Sequence, residues 1–128
     1  MSVYVHVSFG ELIDKITILR IKKERINDTE KLKNIVKELT KLEATWNDIN
    51  QPHDNISKKI TSLKQVNEQL WDIEDRIRLK ESAKAFDNEF IELARAVYKT
   101  NDQRATIKKQ INMMLGSELI EEKSYQEY

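Results

Sequence analysis

From Leu63 to Glu81 the chain reads LKQVNEQLWDIEDRIRLKE, with Leu63, Leu70 and Ile77 recurring every seven residues and Val66 and Ile73 between them. That period predicts an amphipathic helix. Asn67, Glu74 and Glu81 also recur every seven, three or four residues from the apolar positions and therefore on the same stripe. A packed seam must satisfy such groups, because an unpaired buried polar group costs about 1–3 kcal/mol. The conflict marks a candidate site.

The rest of the pattern predicts helices on either side. Val3, Val5 and Val7 alternate with Tyr4 and His6, which reads as a short N-terminal β-strand needing a mate. Its mate would be the tail around Leu119–Tyr125 or the same strand of a second subunit. Ser8-Phe9-Gly10-Glu11 has the spacing of a capping box and opens a first helix to about Ile26. Leu12, Ile13, Ile16, Ile18, Leu19, Ile21 and Ile26 give it an apolar face wide enough for two neighbours. Asp28 caps a second helix to about Ile49, with Leu32, Ile35, Val36, Leu39, Leu42 and Trp46 on one face. Asn50-Gln51-Pro52-His53 breaks it, and Asp54 caps the third helix, from about Asn55 to Glu81. Asp87 caps a fourth that ends at Leu115 before Gly116. The tail SELIEEKSYQEY docks as a strand or an ordered arm.

Short connections make consecutive helices antiparallel. The expectation is a mainly α fold: one domain over residues 1–128, an antiparallel bundle of about four helices with a short N-terminal strand and a docked C-terminal tail.

The fourth helix repeats the anomaly of the third. Asn101 and Arg104 lie in its seam between Val97 and Ile107, with Lys108 a turn further on. A hairpin turning near residue 84 sets Asn67 opposite Asn101 and Glu74 opposite Arg95, with Arg78 also in reach of Glu74. The predicted polar layer is Asn67, Glu74, Arg78, Arg95, Asn101, Arg104 and Lys108. It serves either as a network that fixes helix register or as a pocket in which arginine forks grip an anionic ligand.

Composition narrows the rest. Two glycines, one proline and 34% charged residues describe a helix-rich chain, and at 128 residues it is large enough for a core of its own. The absence of cysteine excludes disulfides and thiolate metal sites and fits a reducing cytoplasm. No apolar run has the roughly 18 residues of a membrane span, and MSVYVHV lacks the features of a signal peptide. Net charge is zero but dipolar: residues 1–64 carry 12 Lys/Arg against 9 Asp/Glu, residues 65–128 carry 10 against 13. Such a chain suits docking to a copy of itself and lacks the field of a nucleic-acid binder.

Other constellations are weaker. Asp72, Glu74, Asp75 and Glu81 could hold Mg²⁺, but Arg76, Arg78 and Lys80 interleave with them as ion-pair partners. His6 and His53 lack zinc spacing. Lys15, Arg20, Lys22, Lys23 and Arg25 read as a solvated helix face, and Trp46 and Trp71 as core or interface anchors. There is no glycine-rich phosphate loop and no nucleophile elbow.

SFGELIDKITIL, LWDIEDRIRLKE, FIELARAVYKTNDQRATIKKQIN and EEKSY, in that order along the chain, resemble a family of small uncharacterised bacterial and phage helical proteins. That family is also met beside or fused to glycosyltransferase-type and surface-polysaccharide proteins. No activity comes with the resemblance. It implies candidate positions at Glu11, Asp14 and Lys15, at Glu74, Asp75, Arg78 and Glu81, and at Arg95, Asn101, Asp102, Arg104 and Lys108. It adds a tail motif of Glu121, Glu122, Lys123, Ser124 and Tyr125, with Glu or Tyr closing the site.

The functional expectation is a non-catalytic cytoplasmic module, a homodimer, binding a small anionic ligand such as a nucleotide or sugar nucleotide in the polar layer. The alternatives are an interaction module docking on a larger enzyme and a small helical enzyme acting on a phosphorylated substrate. No cofactor, nucleic acid or membrane partner is indicated.

Overall fold

The computed structural model describes residues 1–49 and 55–128. Four helices account for nearly all of its regular structure: α1 (Phe9–Arg25), α2 (Thr29–Ile49), α3 (Ile56–Ser82) and α4 (Asn88–Met114). Their starts follow local chemistry. Ser8 Oγ accepts from the Glu11 amide at 3.1 Å, Asp28 Oδ1 from the Lys31 amide at 2.9 Å, and Asp87 Oδ1 from the Phe90 amide at 3.0 Å. Each satisfies an amide that the first helical turn leaves free. Asp54, read as the cap of α3, and the break at residues 50–53 lie outside the described residues. Gly116 ends α4 at φ 63°, a left-handed conformation that glycine adopts without cost.

The helix at the centre is α1. It packs against each of the other three, whereas among the described residues the α2 backbone comes close to α1 alone, its Trp46 reaching the edge of the second cluster. Leu12, Ile16 and Leu19 meet Ile35 and Leu39 of α2, with Trp46 at the margin. On its other side Ile13 joins Ile56 and Leu63 of α3 and Ile111 of α4. The wide apolar face of the first helix is thus used twice. Lys59 of α3 reaches Gln110 of α4, and Arg76 reaches Glu89, close to the hairpin register expected from the sequence. Contacts from Glu11 to Lys108 and from Asp14 to Arg104 make α1 and α4 antiparallel. Asn67 beside Asp14 and Asp72 beside Arg25 make α1 and α3 parallel.

One expected element is missing. Residues 1–8 form no strand, and Val3, Tyr4 and Val5 are largely exposed. The tail around Leu119–Tyr125 forms no strand either. An alternating run without a ladder partner lacks the hydrogen bonds that define a strand.

The helices also differ in length. α1 has 17 residues, while α3 and α4 have 27 each. α1 ends where Arg25 pairs with Asp72 at 2.7 Å and Glu68 at 3.8 Å. The α3–α4 hairpin runs on past that point by roughly ten residues, about 15 Å.

Candidate functional site

The polar layer exists, but it is centred on a residue of α1. Asp14 is 1% exposed within that helix's inner face. Arg104 of α4 grips it with two nitrogens, Nε to Oδ1 at 2.9 Å and Nη2 to Oδ2. This is the fork-to-fork geometry for which guanidinium is suited. Asn67 of α3 donates to Asp14 Oδ1 and to Thr17 Oγ1, both at 2.9 Å. The Thr17 hydroxyl in turn donates to the Asp14 carbonyl. Asn101 accepts from Arg104 Nη1 at 3.4 Å.

A second charge sits one turn along α4. Lys108 Nζ is 2.7 Å from Glu11, 3.2 Å from Glu121 in the tail and 3.8 Å from Asp14. Burial alone would lower the Lys108 pKa, but the carboxylates of Glu11, Asp14 and Glu121 outweigh it and hold the ammonium above its ordinary range. The Asp14 hydrogen bonds raise Arg104 in the same direction. Lys108 holds Glu121 below the usual carboxylate range. Among the described residues every buried side-chain nitrogen and oxygen has a partner. Both cations of the layer, Arg104 and Lys108, are thus already paired with carboxylates.

Close helix approach makes this possible. A Cβ on Gly10 would lie 2.5 Å from the Lys108 carbonyl oxygen and 3.0 Å from Asn112 Oδ1. Asn112 Oδ1 accepts from the Gly10 amide at 2.6 Å, across the same gap. Phe9 donates its amide to Ser117 Oγ at 3.4 Å, tying the start of α1 to the end of α4.

The residues expected in the layer divide into two groups. Asn67, Asn101, Arg104 and Lys108 meet around Asp14. Glu74 and Arg78 pair with each other at 3.1 Å on the outer part of α3. Arg95 lies outside and pairs with Glu92 at 3.1 Å. The pairing of Glu74 with Arg95 is therefore not formed. Arg95 is displaced because Val97 and Leu93 take the inner positions of that turn, Leu93 being 5% exposed. Asn67 does not reach Asn101 either: it turns toward α1, where Asp14 offers a charged acceptor. The layer joins α1, α3 and α4 and is not confined to the α3–α4 seam.

Spacing alone missed Gly10, Thr17 and Asn112, and it left Asp14 out of the layer. A carboxylate between Ile13 and Ile16 on an otherwise apolar face was the available signal. In the tail motif, Glu121 reaches Lys108 and Glu122 reaches Lys109 at 3.7 Å. Lys123 lies over the Tyr125 ring at 5.5 Å, and Tyr125 is 79% exposed, so Glu121 and not Tyr125 closes over the network. Ser124 is exposed. Tyr128 donates to Asp102 at 2.6 Å, and its ring lies tilted against that of Tyr98, centroids 5.1 Å apart.

Among the described residues no group of three His, Asp or Glu side chains is placed to hold a metal ion. In the acidic group considered for Mg²⁺, Asp72 is bound to Arg25 and Glu74 to Arg78. No described helix is long and apolar enough to cross a membrane. Asn67, Glu74, Arg78 and Arg104 do share one feature: with Ile18, Ile21, Leu70, Trp71 and Asp75 they line a groove of about 330 Å³ where α1 meets α3.

Residues 3–128 match a family of unknown function, DUF6165. The chain belongs to that family. No curated protein and no solved structure matches it significantly. Membership spans α1 to the tail, so the network, the hairpin and the tail contacts all lie within the family's extent.

Proposed function

We propose that the chain is a non-catalytic helical interaction module working through the part of the α3–α4 hairpin that α1 leaves bare. One observation carries this reading. Leu70 and Ile77 continue the every-seven row that begins at Leu63, and Phe90 and Val97 continue the row that leads to Arg104 and Ile111. Leu63 and Ile111 are fully buried beside Ile13 of α1. The four residues further out are only part-buried, and Phe86 and Ile91 beside them are 57% and 50% exposed. Apolar side chains at seam spacing with no helix over them form a surface that gains by being covered. In the layer expected to hold an anionic ligand, by contrast, Arg104 and Lys108 are already engaged by carboxylates of the chain itself.

The test is a photo-crosslinking amino acid placed at Ile77 or Phe90, with Lys33 on the outer side of α2 as control, in cells that make the protein naturally. Adducts at Ile77 and Phe90 but not at Lys33 are expected. No adduct at either position overturns the reading.

The groove beside Trp71 favours a second reading, a small polar ligand such as a sugar nucleotide. Its ring would lie on the indole and its phosphate would draw Arg78 from Glu74. Saturation a hundredfold above the dissociation constant adds about 2.7 kcal/mol to stability. A thermal-shift screen should then show a rise that Trp71→Ala abolishes.

A further inference from the structure

We infer that the cavity between the last turns of α4 and the C-terminal tail binds a phosphate group, with the carboxylate of Glu121 as its intramolecular competitor. The site lies at the end of α4 away from the bare hairpin face, so it does not depend on the interaction reading. Its volume is about 170 Å³, several times the roughly 30 Å³ that one water takes up in the liquid. Lys108, Lys109 and Asn112 of α4 line one side, and Glu121, Glu122 and Lys123 of the tail line the other. The observation that points to a ligand is Asn112, which is 2% exposed. Its Oδ1 accepts from the Gly10 amide, but its Nδ2 donates to no group among the described residues. Every fully enclosed side-chain nitrogen there has a partner, so this one opens onto the cavity that Asn112 lines. A buried amide donor turned to a polar cavity calls for an acceptor.

Charge says what the acceptor is. Glu121 lies 3.2 Å from Lys108 and 3.9 Å from Lys123, and Glu122 lies 3.7 Å from Lys109. The chain's own anions thus occupy the donors that an external anion would use. Both glutamates are half exposed or more, and such ion pairs are worth little. They exchange readily for a better acceptor. Lys108 keeps Glu11 at 2.7 Å and Asp14 at 3.8 Å when Glu121 leaves, so the cations with charge to spare are Lys109 and Lys123. A carboxylate offers one charge and two oxygens to these groups. A phosphate group offers up to about two charges and three oxygens, enough to meet both lysines and the Asn112 amide together. Lysine suits it as a compact charge with three donors.

Titration of the ¹⁵N-labelled chain with inorganic phosphate, followed by nuclear magnetic resonance, tests the inference. The side-chain amide signals of Asn112 should move and saturate, with a dissociation constant of about 1 mM or tighter. Glu121→Gln removes the competitor and should tighten binding about twofold to fivefold, the equivalent of one half-exposed ion pair. Lys109→Ala should weaken it about tenfold. Asn112→Asp, which keeps an oxygen for the Gly10 amide and replaces the donor with a negative charge, should abolish it. Where that variant does not fold by circular dichroism, Glu121→Gln and Lys109→Ala, both at exposed positions, decide. Titration with ADP separates the sources of the group: tighter binding than phosphate means a phosphate carried on a larger molecule, and equal binding means the free ion. Three results overturn the inference: no saturable shift by about 20 mM phosphate, the same shift from sodium chloride at equal ionic strength, or an affinity that Glu121→Gln fails to raise and Lys109→Ala fails to lower.

Discussion

Arg104 holds both carboxylate oxygens of Asp14 across 90 residues of sequence. That contact, reinforced by Asn67, is what joins α1 to the α3–α4 hairpin at a fixed register. Removing one member of a buried pair costs more than the pair's net contribution, because the survivor keeps its desolvation and loses its partner. Asp14→Ala should therefore destabilise the chain by about 3 kcal/mol, a fall in Tm of roughly 10 °C. Arg104→Ala, which leaves Asp14 buried with Asn67 and Lys108, should cost a similar amount. In urea unfolding the double variant should lose less than the two singles added together. Additive losses would mean the residues do not act as a pair.

Gly10→Ala sets two effects against each other. Alanine is favoured over glycine inside a helix by about 1 kcal/mol. Here its Cβ would lie 2.5 Å from the backbone oxygen of Lys108, which cannot swing aside as a flexible side chain would. Overpacking of this kind costs about 1–3 kcal/mol. The net change should be destabilising, and the Gly10–Asn112 hydrogen bond should weaken with it. Denaturant unfolding gives the sign directly, and a stabilised variant would refute the close α1–α4 approach.

Much of this arrangement is legible in the chain because local rules and packing agree. Ser8, Asp28, Asp87 and Gly116 mark helix ends by their own chemistry, and a five-residue turn fixes the α3–α4 register. The width of the apolar face on α1 announces burial on two sides, though the neighbours there are three helices and not two. Reading fails where the partner lies far away in sequence. Asn67 has several acceptors at a suitable register, and only the three-dimensional position of α1 selects Asp14. Arg95 carries the same charge as Arg104 but faces water, since helix rotation and not residue type decides which one turns inward. Val3–Val7 has the alternation of a strand, but alternation supplies no hydrogen-bonding mate.

The tail contact depends on pH through Glu121. Lys108 lowers the folded-state pKa of this carboxylate below its ordinary 4.5. Its contribution is thus present above 4.5 and lost as pH falls through the lower folded value. Lys108 is shifted upward from 10.5, so its share persists below 10.5 and is lost as pH rises through the higher folded value. Nuclear Overhauser contacts between Lys108 and residues 119–123 should hold at neutral pH and fade as pH falls through the lowered folded value of Glu121. Glu121→Gln should remove the acid transition while leaving α1–α4 contacts in place. Glu121 is half exposed, so global stability should hardly move.

The placement of α2 leads to a final prediction about dynamics. Among the described residues its backbone comes close to no helix but α1, and of its 21 residues only Ile35 and Leu39 are buried. α1, by comparison, buries residues on two sides and takes part in the charged network. Local opening of α2 exposes little apolar surface, whereas opening α1 separates everything else. Amides of α2 should exchange at least tenfold faster than those of α1, a difference of about 1.4 kcal/mol in opening free energy. Leu39→Ala, at about 2–5 kcal/mol for a buried leucine, should accelerate exchange in α2 and leave the amides around Asp14 and Arg104 protected. Leu63→Ala should speed exchange in α1, α3 and α4 together, since its side chain packs in the cluster that joins them. Uniform exchange across all four helices would show that the chain opens only as a whole.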